Sequence, residues 1–210
     1  ESYSVIDEDK RQTGLSTIRD KNNIKIIEEI SKYINCNTKL LDVGCGLGFF
    51  LRIASQYGFD TYGIEPDANV LKFNKNMNVR KGYFPSVLLD DEKYDVIVFN
   101  DVLEHIPNAN LAVYASWKHL NDNGILVLNC PDRNGFFYKV ASFLKLLGFT
   151  APFDRLWQRF TPSPHRWYFS KNDLYNLGLK CNFKIIGTVE LETISKNGLM
   201  ERIFYLKNQN

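Results

Sequence analysis

Several features that mark other protein classes are missing from this sequence. Its cysteines stand far apart without CxxC or Cys/His spacing, at Cys36, Cys45, Cys130 and Cys181. This pattern argues against a zinc site and against a disulfide framework, so we expect reduced thiols and a cytoplasmic location. No apolar run approaches the roughly 20 residues of a membrane-spanning helix, and the polar N-terminus is not typical of a signal peptide.

A strong charge of either sign is also absent. The 210 residues include 26 Lys and Arg against 24 Asp and Glu, for a formal net charge of +2. This balance gives no general attraction to nucleic acid, and the chain lacks an NPPY-like tetrad for extruded bases. We predict one globular domain without a nucleic-acid partner, in which any anionic partner is held locally. The sequence does not exclude a protein acceptor. It indicates neither the oligomeric state nor whether residues precede Glu1.

Apolar runs alternate with helix-compatible segments over the first 130 residues. We predict strands at 39–44, 60–65, 78–84, 94–100 and 124–130, and helices at about 22–34, 48–58, 67–76 and 109–120. The runs are too far apart for hairpins, so they indicate a parallel sheet covered on both faces. The expected fold class is α/β, with a Rossmann-like doubly wound sheet. Residues 85–92 are too short for a predicted helix and fit at most a single helical turn.

The alternation ends after Cys130. Residues 131–170 are rich in aromatic residues and proline and predict a helical cap with an amphipathic helix near 135–147. Ser170 as N-cap and Asp173 at N3 then predict a helix, followed by two strands joined through the turn signal Asn197-Gly198. We therefore expect seven strands, the last antiparallel. The predicted units are an N-terminal helical segment (1–38), a cofactor-binding core (39–130), a cap over the acceptor pocket (131–170) and a C-terminal helix and hairpin (171–210).

Three glycines follow the first predicted strand at a spacing of two residues. Gly44, Gly46 and Gly48 favour a tight turn into a helix, where missing side chains let a ligand approach the backbone. The dinucleotide fingerprint GxGxxG needs its third glycine where this chain has Phe49. Glu65 ends the next strand, where a carboxylate can accept hydrogen bonds from both hydroxyls of a ribose. A nucleoside without a pyrophosphate fits best, although the glycines alone also fit an unrelated tight turn.

The segments "LLDVGCGLGFF" and "YDVIVFNDVLEHIPN", together with Glu65, resemble the class I S-adenosylmethionine-dependent methyltransferases. The chain looks most like the branch of ubiquinone-biosynthesis O-methyltransferases and of methyltransferases encoded with bacterial surface-polysaccharide genes. The match covers roughly 39–130, and "PHRWYFSKNDLYNLGLKCNF" resembles a later segment of that branch. The resemblance implies S-adenosylmethionine as cofactor and S-adenosylhomocysteine as product.

By position, the resemblance implies roles around the cofactor. The glycine loop would lie under its methionine and ribose, Glu65 would hold the ribose hydroxyls, and the main chain of Asn100 would contact its amino group. Asp42 would orient the loop or the amino group, or would only cap the loop. The family often has an acidic residue near adenine where this chain has Tyr83 and Phe84, whose rings would stack on adenine unless the segments align differently. The predicted cofactor-binding set is Asp42, Gly44, Cys45, Gly46, Gly48, Glu65, Pro66, Tyr83, Phe84, Asn100, Asp101 and Val102.

His105 follows the fourth predicted strand, where a parallel sheet opens its binding crevice. An imidazole can accept the proton that a hydroxyl acceptor loses during methyl transfer. His105 is therefore our first candidate for a general base, ahead of His165 and Asp101. Alternatively, Glu104 and His105 orient a loop at a helix start, and His165 only packs. Some relatives that act on sugars use magnesium, but we predict no metal site, because no convincing carboxylate cluster remains beyond the assigned residues.

Methyl transfer from a sulfonium depends mainly on alignment and the exclusion of water. We expect O-methylation of a small metabolite, such as a sugar or phosphoryl group of a surface-polysaccharide precursor. Methylation of a polyprenylated phenol, and N- or C-methylation, are alternatives, and a cofactor-binding subunit without catalysis is a different class. A nicotinamide oxidoreductase is disfavoured by Phe49 in the fingerprint.

The predicted cap combines basic and aromatic residues. Its cations are interleaved with Trp157, Trp167 and Tyr168, and they comprise Arg133, Lys139, Lys145, Arg155, Arg159 and Arg166. Guanidinium groups match phosphate and rings stack on sugars or isoprenoid tails, but the same composition also fits solvated charge over an apolar core. The segment "FFYKVASFLKLLGF" either packs over the pocket or lies on a membrane surface. The expected partner is a small-molecule, sugar or lipid-linked acceptor.

Overall fold

A computed structural model describes the backbone of residues 5–191 and 201–208 and the side chains of residues 18–191. The helices are α1 (Val5–Ile30), α2 (Phe49–Gln56), α3 (Ala68–Leu71), α4 (Ala109–His119), α5 (Phe136–Leu146), α6 (Ala151–Leu156) and α7 (Lys171–Lys180), with a 3₁₀ turn at Leu103–His105. The strands are β1 (Lys39–Val43), β2 (Asp60–Glu65), β3 (Asn78–Lys81), β4 (Tyr94–Asn100), β5 (Leu120–Asn129), β6 (Phe183–Glu190) and β7 (Glu201–Asn208).

The described strands form one sheet in the order β3-β2-β1-β4-β5-β7-β6. Neighbouring strands from β3 to β5 pair in parallel, whereas β7 pairs antiparallel with β5 and with β6. The chain moves outward from β1 to β3 and then returns to the other side of β1 with β4. The carboxyl ends of β1 and β4 therefore flank the point where the strand order reverses, which is where open α/β sheets bind ligands. The Rossmann-like α/β fold is confirmed.

Helices cover the central strands on both faces. Along β4, Val96 and Val98 pack in one buried cluster with residues of α1 and α2, including Ile26. Ile97 and Phe99 face the other way, into a cluster that contains residues of α4 and α7. Because successive side chains of a strand point to opposite faces, a strand buried on both sides is apolar throughout. This explains why the central strands appear in the sequence as continuous apolar runs.

Two helices differ from their predicted bounds. α1 spans Val5–Ile30 rather than 22–34, and its last turns bury Ile26, Ile27 and Ile30 against the sheet. Among the helices within the described residues, none combines the length and the apolar character that crossing a bilayer requires. α3 covers only Ala68–Leu71 rather than 67–76. The chain leaves the helix because Asn74 turns inward and donates a hydrogen bond to the carbonyl of Gly46.

Two strands also differ from their predicted bounds. β3 ends at Lys81 rather than at 84, because Gly82 has φ 143° and a Cβ there would lie 2.2 Å from Val87. β5 begins at Leu120 rather than at 124 and so includes the polar "NDNG". The pairing register of β4 with β5 shifts between Tyr94 and Val96, which accommodates these extra residues. The sequence pattern did not indicate this shift.

The segment after β5 is helical, and α5 lies within one residue of its predicted bounds at each end. The short helix α6 was not predicted, although proline in its first turn is compatible with a helix start. The capping box predicted at Ser170 and Asp173 is confirmed. The predicted turn at Asn197-Gly198 lies outside the described residues.

Glu92 stabilises the connection that leads into β4. Its Oε2 accepts a hydrogen bond from Nη1 of Arg80 at 2.6 Å and another from the backbone N of Leu89 at 3.2 Å. The hydroxyl of Tyr94 donates to the other carboxylate oxygen. Burial by itself would raise the pKa of Glu92, but these hydrogen bonds outweigh burial and lower its pKa to about 2. The ionised form is therefore bound more strongly in the folded protein.

Replacement of this carboxylate should make stability less dependent on pH. Because the pKa of Glu92 is lowered on folding from 4.5 to about 2, its contribution is complete above about pH 4.5 and is lost as the pH falls toward 2. We expect Glu92→Gln to reduce the free energy of unfolding at pH 7 by about 2 kcal/mol, and the difference from the parent to shrink below pH 4.5. Urea denaturation across this pH range measures both.

The control for this prediction is Asp91→Asn, which removes a charge at an exposed neighbouring position. It should change stability by less than about 0.5 kcal/mol. An equal loss for Glu92→Gln at every pH would contradict the assignment.

Candidate functional site

A cavity of about 640 Å³ opens at the carboxyl ends of β1, β2 and β4. Its size is typical of a small-molecule binding site. One side is formed by the glycine loop after β1 and by Glu65 and Pro66 at the end of β2. The opposite side is formed by the segment after β4 and by Ser163 and Arg166 from the chain after α6. Segments that are far apart in the sequence therefore line the same cavity.

The shape of the glycine loop requires glycine at position 44, where the loop packs against the segment after β4. Gly44, Gly46 and Gly48 have φ values of 71°, 52° and 72°, which L residues rarely adopt. A Cβ at Gly44 would lie 2.7 Å from a methyl carbon of Val102, so this glycine lets the loop pack against the segment after β4. A Cβ at Gly46 would meet nothing within 4 Å, so space remains beside the loop backbone.

Glu65 connects the glycine loop to the end of β2. Its side chain is 8% exposed, and one carboxylate oxygen accepts a hydrogen bond from the backbone N of Gly46 at 2.9 Å. The other oxygen accepts from the backbone N of Asp67, also at 2.9 Å. Each carboxylate oxygen can accept a second hydrogen bond. Glu65 can therefore hold the loop and still accept hydrogen bonds from the hydroxyls of a ribose in the cavity.

Asp42 in β1 and Cys45 within the loop are buried and are not among the residues that line the cavity. Asp42 is 2% exposed, and burial, followed by the nearby charge of Glu65, raises its pKa well above the ordinary range. Burial likewise raises the pKa of the Cys45 thiol. A carboxyl group and a thiol in these surroundings favour their neutral forms. Their positions fit a supporting role for the loop.

Asn74 supports the loop from below and was not predicted as a site residue. Its side chain is 3% exposed, and its amide donates to the carbonyl of Gly46 at 2.7 Å. A Cβ at Gly48 would lie 3.0 Å from Oδ1 of Asn74 and 2.5 Å from the sulfur of Met77. The packing therefore explains the third glycine. No sequence signal identified Asn74, because its partner lies 28 residues away.

A chain of asparagines joins α1 to the ends of β4 and β5. The Asn100 amide donates to Oδ1 of Asn23 at 3.2 Å, and the Asn129 amide donates to Oδ1 of Asn100 at 2.7 Å. The backbone N of Asp101, which has φ 57°, donates to the carbonyl of Asn129 at 2.9 Å. These bonds set the backbone at the end of β4. Asn23 and Asn129 were not predicted, since only the fold brings α1 next to the ends of these two strands.

His105 lies on the cavity wall within the 3₁₀ turn after β4. Its Nδ1 lies 3.2 Å from the carbonyl of Pro164 and 3.2 Å from the hydroxyl of Ser163. A carbonyl can only accept a hydrogen bond, so the contact with Pro164 places the proton on Nδ1 and the lone pair on Nε2. This tautomer is the one that can take a proton at Nε2.

The segment after α6 is joined to His105 by further contacts. The rings of His105 and His165 meet edge to face with centroids 4.7 Å apart. The buried Glu104 accepts, at its backbone carbonyl, hydrogen bonds from the backbone N of Arg166 at 2.8 Å and of Trp167 at 3.2 Å. Side-chain ligand atoms of Glu104, His105 and His165 lie within 4.8 Å of one another, a group that could hold a metal ion. The sequence did not indicate this group.

The structure brings together about half of the predicted site residues on the cavity wall, namely Gly44, Glu65, Pro66, Tyr83, Phe84, Val102 and His105. The remaining predicted residues are not among those that line the cavity: Asp42, Cys45, Gly46, Gly48, Asn100, Asp101 and His165. The wall also includes Ile106 and Pro107, which the rule about strand ends would have found. Ser163 had no sequence signal.

Tyr83 and Phe84 occupy different environments. The Phe84 ring packs edge to face against Phe99, with centroids 5.5 Å apart, and against His119 at 6.3 Å. Tyr83 is 74% exposed and lines the cavity. The Phe84 ring packs in the core, whereas the Tyr83 ring does not. Tyr83 is therefore better placed than Phe84 to stack on a planar ligand.

Comparison with known proteins gives one consistent family. A family model described as a methyltransferase domain matches residues 15–188. The ubiquinone biosynthesis O-methyltransferase of Rickettsia akari is 28% identical over 126 residues, which are 55% of this chain and 50% of that protein. The enzyme of the same name from Pelagibacter ubique is 27% identical over 163 residues, covering 71% and 67%. The chain thus matches only about half the length of the Rickettsia protein.

Solved structures show the same fold at lower identity. A magnesium protoporphyrin IX methyltransferase from Synechocystis, with bound S-adenosylhomocysteine, has a TM-score of 0.67 at 16% identity and covers 100% of this chain and 90% of its own. A SAM-dependent methyltransferase from Archaeoglobus fulgidus has a TM-score of 0.65 at 16% identity, with 92% and 97% covered. At these identities the similarity shows the fold alone.

Two glycine substitutions should separate backbone strain from steric contact in the loop. Gly44→Ala introduces both, because its φ is 71° and the new Cβ would meet Val102 at 2.7 Å. We expect it to reduce the free energy of unfolding by about 3 kcal/mol, against about 1 kcal/mol for Gly46→Ala, which introduces only the strain of φ 52°. Thermal and urea denaturation measure both.

Adding Val102→Ala to Gly44→Ala should recover part of the loss, and a double-mutant cycle gives the coupling energy. Equal losses for the two glycine variants, or no coupling with Val102, would contradict the close packing of the loop.

Proposed function

Because this chain belongs to the methyltransferase domain family, we propose that it transfers a methyl group from S-adenosylmethionine to an oxygen atom of a small acceptor. The observation that carries the proposal is the single cavity whose wall includes Gly44, Glu65 and His105. These residues represent the glycine loop, the proposed ribose-binding carboxylate and the general base that transfer to a hydroxyl group requires. The cavity joins a cofactor region and an acceptor region.

The residues present fit the cofactor. Open space remains beside Gly46, and the carboxylate of Glu65 keeps hydrogen-bonding capacity toward the cavity. Glu65 would hold the ribose hydroxyls, the exposed ring of Tyr83 would stack on the adenine, and the backbone at Asn100 would meet the amino group. When bound, S-adenosylmethionine supplies an electrophilic methyl group on a sulfonium. We propose that Asp42 and Gly48 act indirectly, by setting the shape of the loop.

His105 is the proposed general base. The bond between its Nδ1 and Pro164 leaves Nε2 to accept the proton that an acceptor hydroxyl loses. Proton removal of this kind contributes roughly 10²–10⁴-fold to a reaction rate. His165, in ring contact with His105, is the second candidate, and Asp101 at the end of β4 is the third. The rest of the acceleration comes from alignment and from the exclusion of water.

The cap provides the remaining wall and therefore bears on the choice of acceptor. Ser163 and Arg166 line the cavity beside His105, and a guanidinium group can pair with a phosphoryl or carboxylate group. This favours a small or lipid-linked acceptor with an anionic group, such as a sugar phosphate of a surface-polysaccharide precursor. The name of the Rickettsia and Pelagibacter relatives favours a polyprenylated phenol instead. Both acceptors are methylated on oxygen, whereas N-methylation is a further alternative.

Removal of the carboxylate at position 65 should weaken cofactor binding. Glu65→Gln replaces one acceptor oxygen by an amide that donates, so a hydrogen bond to the loop or to the ribose is lost. We expect the Kd for S-adenosylhomocysteine to rise at least about 10-fold, measured by isothermal titration calorimetry. Glu28→Gln makes the same chemical change at an exposed position of α1 and should leave binding unchanged. An unchanged Kd in Glu65→Gln would contradict the ribose assignment.

Removal of the imidazole at position 105 should slow turnover without loss of the cofactor. The acceptor is first found by incubating the protein with labelled cofactor and fractionated small-molecule, lipid and polysaccharide extracts, followed by mass spectrometry. His105→Ala should then lower kcat by about 10²–10⁴-fold at an unchanged Kd for S-adenosylhomocysteine. Full turnover in His105→Ala would contradict the base assignment.

A chelator provides the second arm of this experiment. If EDTA abolishes turnover and a divalent cation restores it, His105 acts with Glu104 and His165 as a metal ligand rather than as a base. Cofactor binding without methylation of any fraction would favour the non-catalytic subunit.

A further inference from the structure

Helix α5 exposes an apolar stripe to solvent. Phe136, Val140, Phe143 and Leu147 recur at intervals of four, three and four residues, which places them on one face of the helix. Phe136 and Phe143 are 62% and 60% exposed. Another side of the helix packs on the protein, where Ala141 is buried. The stripe therefore lies on the outer side of a helix that already has its contact with the protein.

The apolar surface continues past the end of the helix. Leu146 is 84% exposed and Phe149, just after Gly148, is 63% exposed. We refer to Phe136, Val140, Phe143, Leu146, Leu147 and Phe149 as the cap surface. A contiguous run of large apolar side chains in solvent is uncommon on a monomeric protein and marks an interaction site.

The segment that carries the cap surface has more cations than acidic residues. Residues 131–160 contain five Lys and Arg against two Asp, while the rest of the chain contains 21 Lys and Arg against 22 Asp and Glu. The positive charge of the protein is therefore concentrated in this segment. Lys139 and Lys145 are exposed on α5 itself, with Lys139 beside the apolar stripe and Lys145 on the other side of the helix. Lys145 also lies over the ring of Phe153, at 4.2 Å from its centroid.

We propose that the cap surface docks on an anionic lipid bilayer, with its apolar side chains among the acyl chains and its lysines at the headgroups. Charge complementarity supports this choice of partner, because lysine is depleted in the cores of protein interfaces. At a membrane surface, lysine instead buries its methylene stem and keeps its ammonium group among the anionic headgroups. A second copy of the chain would have to bury Lys139 and Lys145 against their own like charges.

A series of contacting rings connects α5 to the cavity. Tyr138 on the inner side of α5 meets Tyr168 with centroids 4.7 Å apart, and Tyr168 meets His165 at 5.3 Å. His165 then meets His105 at 4.7 Å. Docking of the cap surface would therefore hold the helix that is packed, through these rings, onto the acceptor side of the cavity. The proposal itself concerns binding and stands apart from the proposed methyl transfer.

Vesicle sedimentation tests the proposal with the full chain and without any assay of activity. Vesicles of phosphatidylcholine with about 30% phosphatidylglycerol present the anionic surface, and pure phosphatidylcholine vesicles are the neutral comparison. We expect the partition coefficient to be at least 10-fold higher on the anionic vesicles and to fall as salt is added.

Two pairs of substitutions separate the apolar and the electrostatic contributions. Phe143→Ser with Leu146→Ser should lower partitioning on anionic vesicles at least 10-fold. Lys139→Gln with Lys145→Gln should lower it about 10-fold on anionic vesicles and leave the weak binding to phosphatidylcholine unchanged. The matched control is Phe73→Ser with Leu89→Ser, which removes two side chains that are 62% and 68% exposed outside the cap. This control should bind as the parent does.

Circular dichroism and thermal denaturation must first show that each variant folds as the parent does, since the substituted side chains are exposed. Failure of the parent to sediment with anionic vesicles would overturn the proposal, as would equal binding by the parent and by Phe143→Ser with Leu146→Ser. A concentration-dependent dimer that the same pair of substitutions abolishes, without vesicle binding by the parent, would assign the cap surface to self-association instead.

Discussion

The site depends on the buried carboxylate of Glu65. It accepts hydrogen bonds from the backbone N of Gly46 and of Asp67, and so joins the loop after β1 to the segment after β2. The two parallel strands bring these segments side by side, but pairing between strands ends where the strands end. A buried carboxylate that accepts two backbone hydrogen bonds extends the connection past the sheet. The shape of the cavity on the side of the loop follows from this.

The opposite side of the cavity depends on a backbone carbonyl. Glu104 accepts hydrogen bonds from Arg166 and Trp167, which join the turn after β4 to the chain after α6. His105 in that turn bonds in addition to Pro164. The candidate base is thus positioned by a segment that lies about 60 residues further along the chain. The position of His105 therefore depends on the chain after α6, which supplies the groups that orient its ring.

The predictions from sequence were accurate where periodicity is strong and local. The apolar runs of β1, β2 and β4, and the capping box at Ser170, depend on neighbouring residues and were found with nearly correct bounds. The predictions failed where a distant contact decides the conformation. α3 is short because Asn74 bonds to Gly46, and β5 begins early because its register with β4 is irregular. Neither contact leaves a periodic signal in the sequence.

The same distinction applies to helix α5 of the cap. The basic and aromatic composition of the cap is visible in the sequence, but the residues of α5 fit a helix that packs over the pocket as well as one that lies on a membrane. In the structure α5 buries Ala141 against the protein and exposes Phe143 to solvent. Burial depends on what lies across from each face, which the helical period alone does not specify.

The sequence by itself determined the α/β class, the glycine loop and the acidic residue at the end of β2, because strand periodicity and glycine spacing are local properties of the chain. Only the tertiary structure decided which residues share a wall. It brought Ser163 and Arg166 to the same cavity as Glu65, and His165 to His105. Contacts between residues far apart in sequence arise from the packing of whole elements, and no short segment of the chain contains that information.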